Sequence, residues 1–283
     1  MFKKILVPLD GGEFAAGILG AMEPFLTHDT QVELFTAYGE EAEHEATKAH
    51  LQEKARALEA CGAVVSHSLI QGDPAAKILE RIESVEPDLV AMASHGRRGP
   101  WRWIRGSVAE RVLRHCLVPL LIAQPQPNGE FPAAVQRILV PLDGSKRARA
   151  ILPLAVAMGR VLSAELLLIR ASNAHHLTLA EFVSPVEDRR PIPTAKQLER
   201  SLAPARDIVA AEGVPVRCLT AFGDPAAEIL QVAEEEGADL IAISTHGRTG
   251  LDRWVFGSVA EKVLRAWAGP VLVQRLAADA DAS

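Results

Sequence analysis

Cysteine is scarce in this chain. Cys61, Cys116 and Cys218 are the only 3 among 283 residues, none is spaced as CxxC, and none recurs at the matching position of the internal repeat described below. This weighs against a disulfide scaffold or a thiolate metal site and leaves three buried small hydrophobes in a reducing cytosol. A basic excess is missing too: 30 Lys and Arg stand against 36 Asp and Glu, a net charge of −6. Phosphate backbones demand a basic face, so a general nucleic-acid binder is not expected. Long apolar runs are also absent. The longest, Ile151 to Ile169, is broken by Arg160 and Glu165, and in the N-terminal MFKKILVPLD the two lysines are followed by an apolar run of only five residues that ends at Asp10. Neither a bilayer span nor a signal peptide fits, and the expected location is the cytoplasm. The stretches GxxxxGK followed by Ser or Thr, GxGxxG after a strand, HExxH and GxSxG do not occur, and no repeated Asp/Glu pair is placed for catalytic magnesium. A binding module without strong turnover is the expectation.

Repetition is what the chain does have. AMASHGRRGPWRWIRGSVAERVL, Ala91 to Leu113, returns as AISTHGRTGLDRWVFGSVAEKVL, Ala242 to Leu264, a displacement of 151. KKILVPLDGG from Lys3 returns as QRILVPLDGS from Gln136, a displacement of 133, so the second copy carries 18 extra residues. Repeats this long mean two duplicated domains, each large enough to bury its own core. The expected boundaries are domain 1 at 1–125, a Pro-rich polar linker at 126–136, domain 2 at 137–276 and a tail at 277–283. The extra residues fall at about 172–192, where His175, His176 and Asp188 to Pro191 make a loop that is a lid, a dimer contact or plain surface.

In both copies, short β-branched or leucine-rich runs alternate with helical patterns. Predicted strands are Ile5–Leu9, Val32–Ala37, Val64–Ile70, Leu89–Ser94 and Leu117–Ala123, then Ile138–Leu142, Glu165–Ala171, Val216–Ala221, Leu240–Ser244 and Val271–Gln274. Helices between the first five are expected at Ala15–Leu26, Glu43–Cys61, Ala75–Ser84 and Val108–His115. Near-continuous apolar strands separated by helices indicate an α/β class: two tandem, doubly wound, five-stranded parallel sheets of order 3-2-1-4-5, Rossmann- or flavodoxin-like. In that order the first and fourth strands are neighbours and a crevice opens at their carboxyl ends.

Two features of each copy point into that crevice. The first is His95-Gly96, nine residues, Gly106-Ser107, matched by His246-Gly247, nine residues, Gly257-Ser258. A glycine just before a helix lets backbone amides approach an anion, and the serine hydroxyl adds a donor. The competing explanation is a capping box, Ser107 with Glu110 and Ser258 with Glu261, which needs no ligand. The second is the strand-end aspartate of Pro8-Leu9-Asp10-Gly11 and Pro141-Leu142-Asp143-Gly144, either an acceptor for ribose hydroxyls or a cap on the following helix. Gly72-Asp73-Pro74 and Gly223-Asp224-Pro225 are helix starts, with Asp as N-cap and Pro as first helical residue. His95 and His246 read as turn or ligand contacts, Arg97, Arg98 and Arg248 as solvated charges, and Trp103 and Trp254 as packing.

These residues, from the VPxDG strand end through the Ser/Thr-His-Gly-Arg-x-Gly and GSVAE blocks, resemble the universal stress protein (UspA) family twice over, across about Met1–Ala123 and Gln136–Arg275. ATP-binding members carry Gly, two residues, Gly, nine residues, then Gly-Ser/Thr. Here the first glycine is replaced by Ala93 and Ser244, while Gly96, Gly106, Gly247 and Gly257 keep the pattern. The resemblance implies that Asp10 and Asp143 contact adenosine and that Ala37 and Ala171 touch adenine through the backbone. It further implies that Gly96, Gly106, Ser107 and Val108, and Gly247, Gly257, Ser258 and Val259, hold the phosphates of ATP, with or without magnesium. It implies a nucleotide-dependent regulatory module with little or no hydrolysis. The alternatives are an interaction module without nucleotide and a weak ATPase. Family members pair through their fifth strands, so self-association is expected there, within the chain or between two chains.

Overall fold

The structure is a computed structural model that describes residues 2–12, 16–39, 44–93, 108–124, 134–172, 193–246 and 257–276. The loops at 94–107 and 247–256, the insert at 173–192 and most of the linker lie outside the described residues.

The first repeat supplies β1 (Lys4–Pro8), β2 (Gln31–Tyr38), β3 (Val64–Gln71), β4 (Leu89–Ala93) and β5 (Leu120–Ala123). The second supplies β6 (Arg137–Pro141), β7 (Glu165–Ser172), β8 (Val216–Phe222), β9 (Leu240–His246) and β10 (Val271–Leu276). Helices of the first repeat are α1 (Ile18–Met22), α2 (His44–Ala60), α3 (Pro74–Val85) and α4 (Val108–His115); those of the second are α5 (Lys146–Arg149), α6 (Leu152–Leu162), α7 (Ala195–Ala211), α8 (Pro225–Glu235) and α9 (Ser258–Ala266). The helices of eight or more residues turn an apolar stripe to the sheet at helical spacing, as Ala75, Ile78, Ile82 and Val85 do on α3 and Ala260, Val263 and Leu264 on α9, whereas α5 buries no side chain. Asp73 and Asp224 cap α3 and α8 by accepting from Ala76 N (3.0 Å) and Ala227 N (3.1 Å), with Pro next, as their spelling predicts.

Within each repeat the strands pair in parallel in the order 3-2-1-4-5. The two sheets then join: β5 and β10 pair antiparallel, Leu121 opposite Leu272, and ten strands form one sheet, β3-β2-β1-β4-β5-β10-β9-β6-β7-β8. Alternation along the strands feeds two cores that run through both repeats. Leu240 and Ala242 of β9 join the layer under α6 and α7, whereas Ile241 and Ile243 join the layer under α8 and α9.

Side chains fasten the seam reciprocally. Gln124 Nε2 donates to the carbonyls of Leu264 (3.0 Å) and Arg265 (3.2 Å) at the end of α9, and Gln274 Nε2 donates to Leu117 O (3.2 Å) just past α4. The expected pairing of fifth strands is thus realised inside the chain. It consumes the edge that a homodimer would use, and among the described residues the edges of the joined sheet are β3 and β8.

Local chemistry moved some element ends. The fifth strand starts at Leu120 instead of Leu117, because Pro119 has no amide to donate and Leu117 is turned to solvent. The first helix breaks after Met22 into a 3-10 turn, Glu23–Phe25, around Pro24. Of the three cysteines, Cys116 is buried and Cys218 half-buried, but Cys61 is exposed. It falls in the surface turn that ends α2, its thiol donating to Ala57 O at 3.6 Å.

Candidate functional site

The chain leaves β6 toward the α6–α7 layer and leaves β9 toward the opposite layer, and β6 and β9 are neighbours, Leu139 beside Ile241. That is a topological switch point, the place where open α/β sheets bind ligands. A hollow of about 410 Å³ opens there. Its size lies within the roughly 300–1,000 Å³ of small-molecule sites. One wall is apolar: Ile169 and Ala171 of β7, Ile229 of α8 and Ile243 of β9. The rest of the lining includes polar groups: Asp143, Ser145 and Arg147 after β6, Ser244 and Thr245 of β9, and the start of α9 at Gly257, Ser258 and Val259.

Six of the seven residues singled out in the second repeat, Asp143, Ala171, Ser244, Gly257, Ser258 and Val259, line this one hollow. Gly247 lies outside the described residues. In the first repeat β1 pairs with both β2 and β4, which puts Asp10, Ala37 and Ala93 at one carboxyl edge, and Val108 opens α4. Gly96, Gly106 and Ser107 lie outside the described residues, as do His95, the loop arginines Arg97, Arg98 and Arg248, and Trp103 and Trp254.

The aspartates have a role that local reading did not separate. Asp143 Oδ1 accepts from Ser145 N at 2.8 Å, and Asp10 Oδ1 accepts from Gly12 N at 2.8 Å. Each closes a turn across the intervening glycine, Gly144 at φ 82° and Gly11 at φ 75°, where a side chain would be strained. The cap on α5 is Ser145, which accepts from Ala148 N at 3.0 Å. Asp143 therefore orients its carboxylate at the rim of the hollow without being consumed as a helix cap. Behind the turn, Arg170 Nη1 donates to Leu142 O at 3.4 Å.

At α9 the capping box is not built. Gly257 is the N-cap and makes no side-chain cap bond; Ser258 is the first helical residue, and Glu261 pairs with Arg265 at 2.5 Å instead of reaching back. The helix starts one residue earlier than a box on Ser258 requires, so its first amides are left for solvent or an anion. A Cβ placed on Gly257 meets nothing within 4 Å. Ser244, which replaces the first glycine, donates its hydroxyl to Arg147 O (2.8 Å) and Ala148 O (3.3 Å), tying β9 to α5.

Sequence reasoning passed over Thr245. It is 3% exposed, lines the hollow, and its hydroxyl has no hydrogen-bond partner. A buried unpaired hydroxyl costs about 1–3 kcal/mol. The available signal was that Ser94 and Thr245 put a hydroxyl at the same place in both repeats. Also missed were the ion pairs Arg111–Asp73 (2.8 Å) and Lys262–Asp224 (2.9 Å), which clamp α4 to the start of α3 and α9 to the start of α8. The Arg111 hydrogen bond, then the Ala76 amide, holds the Asp73 carboxyl below its usual range; Lys262, then Ala227, does so for Asp224. Among the described residues no helix is long and apolar enough to cross a membrane, and no three His, Cys, Asp or Glu side chains gather as metal ligands.

Two stretches, 18–124 and 134–275, match the model of the Universal stress protein family. The chain belongs to the universal stress protein family. Universal stress protein YxiE of Bacillus subtilis is 31% identical over 147 residues, which is 98% of that protein and 49% of this chain. A relative that is matched almost whole by half of this chain agrees with two family copies in tandem. Universal stress protein Rv2005c of Mycobacterium tuberculosis is 27% identical over 194 residues, 68% of this chain and 63% of that one. The crystal structure of a universal stress protein from Archaeoglobus fulgidus superposes with a TM-score of 0.74 at 23% identity, covering 96% of this chain and 98% of that one. At that identity the likeness speaks for the fold. The hollow is thus set in a universal stress protein sheet, at the edge where its two layers part.

Proposed function

We propose that the second repeat binds an adenine nucleotide, ATP with or without magnesium, as a regulatory module in the stress response with little or no hydrolysis. The observation that carries this reading is the convergence on one hollow of an oriented carboxylate, an uncapped helix start and an apolar slot. Ala171 and the apolar wall of Ile169, Ile229 and Ile243 take the adenine; Asp143 accepts from the ribose hydroxyls. The amides at Gly257, Ser258 and Val259 and the Ser258 hydroxyl receive phosphate oxygens. The nucleotide supplies the anionic and planar groups; the chain supplies position and donors. The unpartnered Thr245 hydroxyl and the open space at Gly257 support such a ligand. In the first repeat Asp10, Ala37, Ala93, Gly96, Gly106, Ser107 and Val108 are the matching set. Equilibrium dialysis of the full chain with labelled ATP tests the reading. Saturable binding that a Gly257 variant loses is expected, and no binding at millimolar ATP rejects it.

A further inference from the structure

Thr245, which lines the hollow, and Arg275 on the strand beside it each carry a polar atom left without a partner. Thr245 on β9 is in register with Arg275 on β10, the neighbouring parallel strand, and Thr245 Oγ1 and Arg275 Nε are both buried with no hydrogen bond. Registered residues in a parallel pair lie about 4.8 Å apart and project from the same face. That face is the one carrying Ile243 and Val273, two residues earlier on each strand, and the hollow opens on it. No carboxylate among the described residues pairs with Arg275. What faces it is Cys116, whose thiol burial pushes up to about 11 and so keeps neutral near pH 7. Burial works against the charge of the Arg275 guanidinium. A half-buried guanidinium whose Nε has no partner and an orphaned hydroxyl donor stand near the uncapped start of a nine-residue helix, and an anion would serve all three.

We propose that Thr245 and Arg275 form a phosphoryl subsite of the second-repeat hollow, in which the Thr245 hydroxyl donates to a phosphate oxygen and the Arg275 guanidinium balances its charge. The proposal rests on the nucleotide reading above and sharpens it: phosphate beyond the nucleoside is gripped across the β9–β10 strand pair, beside the seam between the repeats. A nucleoside without phosphate then gains nothing from either residue. The same chemistry arises from a nucleotide or from a free polyphosphate, and the test separates them.

Isothermal titration of the full chain with ATP, adenosine and inorganic tripolyphosphate is run on the wild type, Thr245→Val and Arg275→Met. Each substitution is expected to weaken ATP at least about tenfold, as loss of a hydrogen bond to a charged group does, and to leave adenosine unchanged. In the absence of ligand, Thr245→Val is expected to melt no lower than the wild type, since it removes a buried hydroxyl that the fold leaves unpaired. ATP binding unaltered by both substitutions overturns the subsite while the nucleotide reading stands. Equal weakening of ATP and adenosine also overturns it, because the residues then act on the fold and not on phosphate. A lower melting temperature for Thr245→Val does the same by showing that the hydroxyl is already used. Tripolyphosphate bound by the wild type without ATP keeps the subsite and removes the nucleotide; neither bound removes both.

Discussion

Placing a carboxylate on Gly257 separates the two roles of the α9 start, because the helix favours it and a phosphate does not. Gly257 has φ −52° and ψ 128°, a conformation open to any L-residue, and a Cβ there meets no atom within 4 Å. Gly257→Asp therefore fits without strain. As an N-cap, Asp outranks Gly by a few tenths of a kcal/mol, and its charge at the helix N-terminus adds about 0.3–1 kcal/mol. The free protein is expected to gain about 0.5–1 kcal/mol, a rise of about 1–3 °C in the melting temperature of the second repeat. For a bound phosphate the same carboxylate is a like charge at close range, worth about 4 kcal/mol at 4 Å with an effective dielectric near 20. It also takes over the amides that the phosphate needs. ATP affinity is expected to fall more than a hundredfold, at least about 2.7 kcal/mol. Differential scanning fluorimetry and titration calorimetry on one preparation read both signs. Unchanged ATP affinity refutes the placement of phosphate at α9. A melting temperature lowered together with affinity refutes the open geometry at Gly257.

Ser244→Ala removes the hydroxyl that ties β9 to the α5 carbonyls and is expected to cost about 0.5–1.5 kcal/mol in urea denaturation. No loss would show that the tether contributes nothing. Leu272→Ala, at a fully buried position opposite Leu121 in the seam, is expected to cost about 2–5 kcal/mol; a cost below about 1 kcal/mol contradicts the seam as a packed core. Asp73 and Asp224 have lowered folded-state values, so the stability they contribute is present above the ordinary carboxylate range near pH 4 and fades as pH falls through the folded values. Asp73→Asn with Asp224→Asn keeps the caps but removes the titration, and should flatten the acid limb of urea midpoints below about pH 4. Both pairs are solvent-exposed and screened, so the change is small, and an acid limb identical to the wild type rules it out.

Most of the architecture was legible from the chain because it rests on short-range chemistry. Strand runs, parallel order and helix starts at Asp73-Pro74 and Asp224-Pro225 depend on apolar periodicity and on which residues cap. The site was legible as a set of residues, and less so as roles. Ser258 and Glu261 spell a capping box, yet Gly257 is the N-cap, Ser258 is already helical and Glu261 turns to Arg265, since box geometry depends on how the backbone enters the helix. Asp143 was poised between cap and ligand contact; its turn with Ser145 settles the first and leaves the carboxylate at the rim. The isolation of Thr245 was invisible, because having no partner is a property of everything around a residue.

The amino-acid sequence by itself determined the duplication, the α/β class, the strand order within each repeat and the family, all of which follow from patterns a chain carries along its length. Only the tertiary structure decided that the two sheets fuse through β5 and β10, that the aspartate turn, the apolar slot and the uncapped helix share one hollow, and that Thr245 and Arg275 stand unpaired beside each other. Those are meetings between residues tens to more than a hundred positions apart. Sheet register and layer packing bring them together, and neither is written in any local stretch.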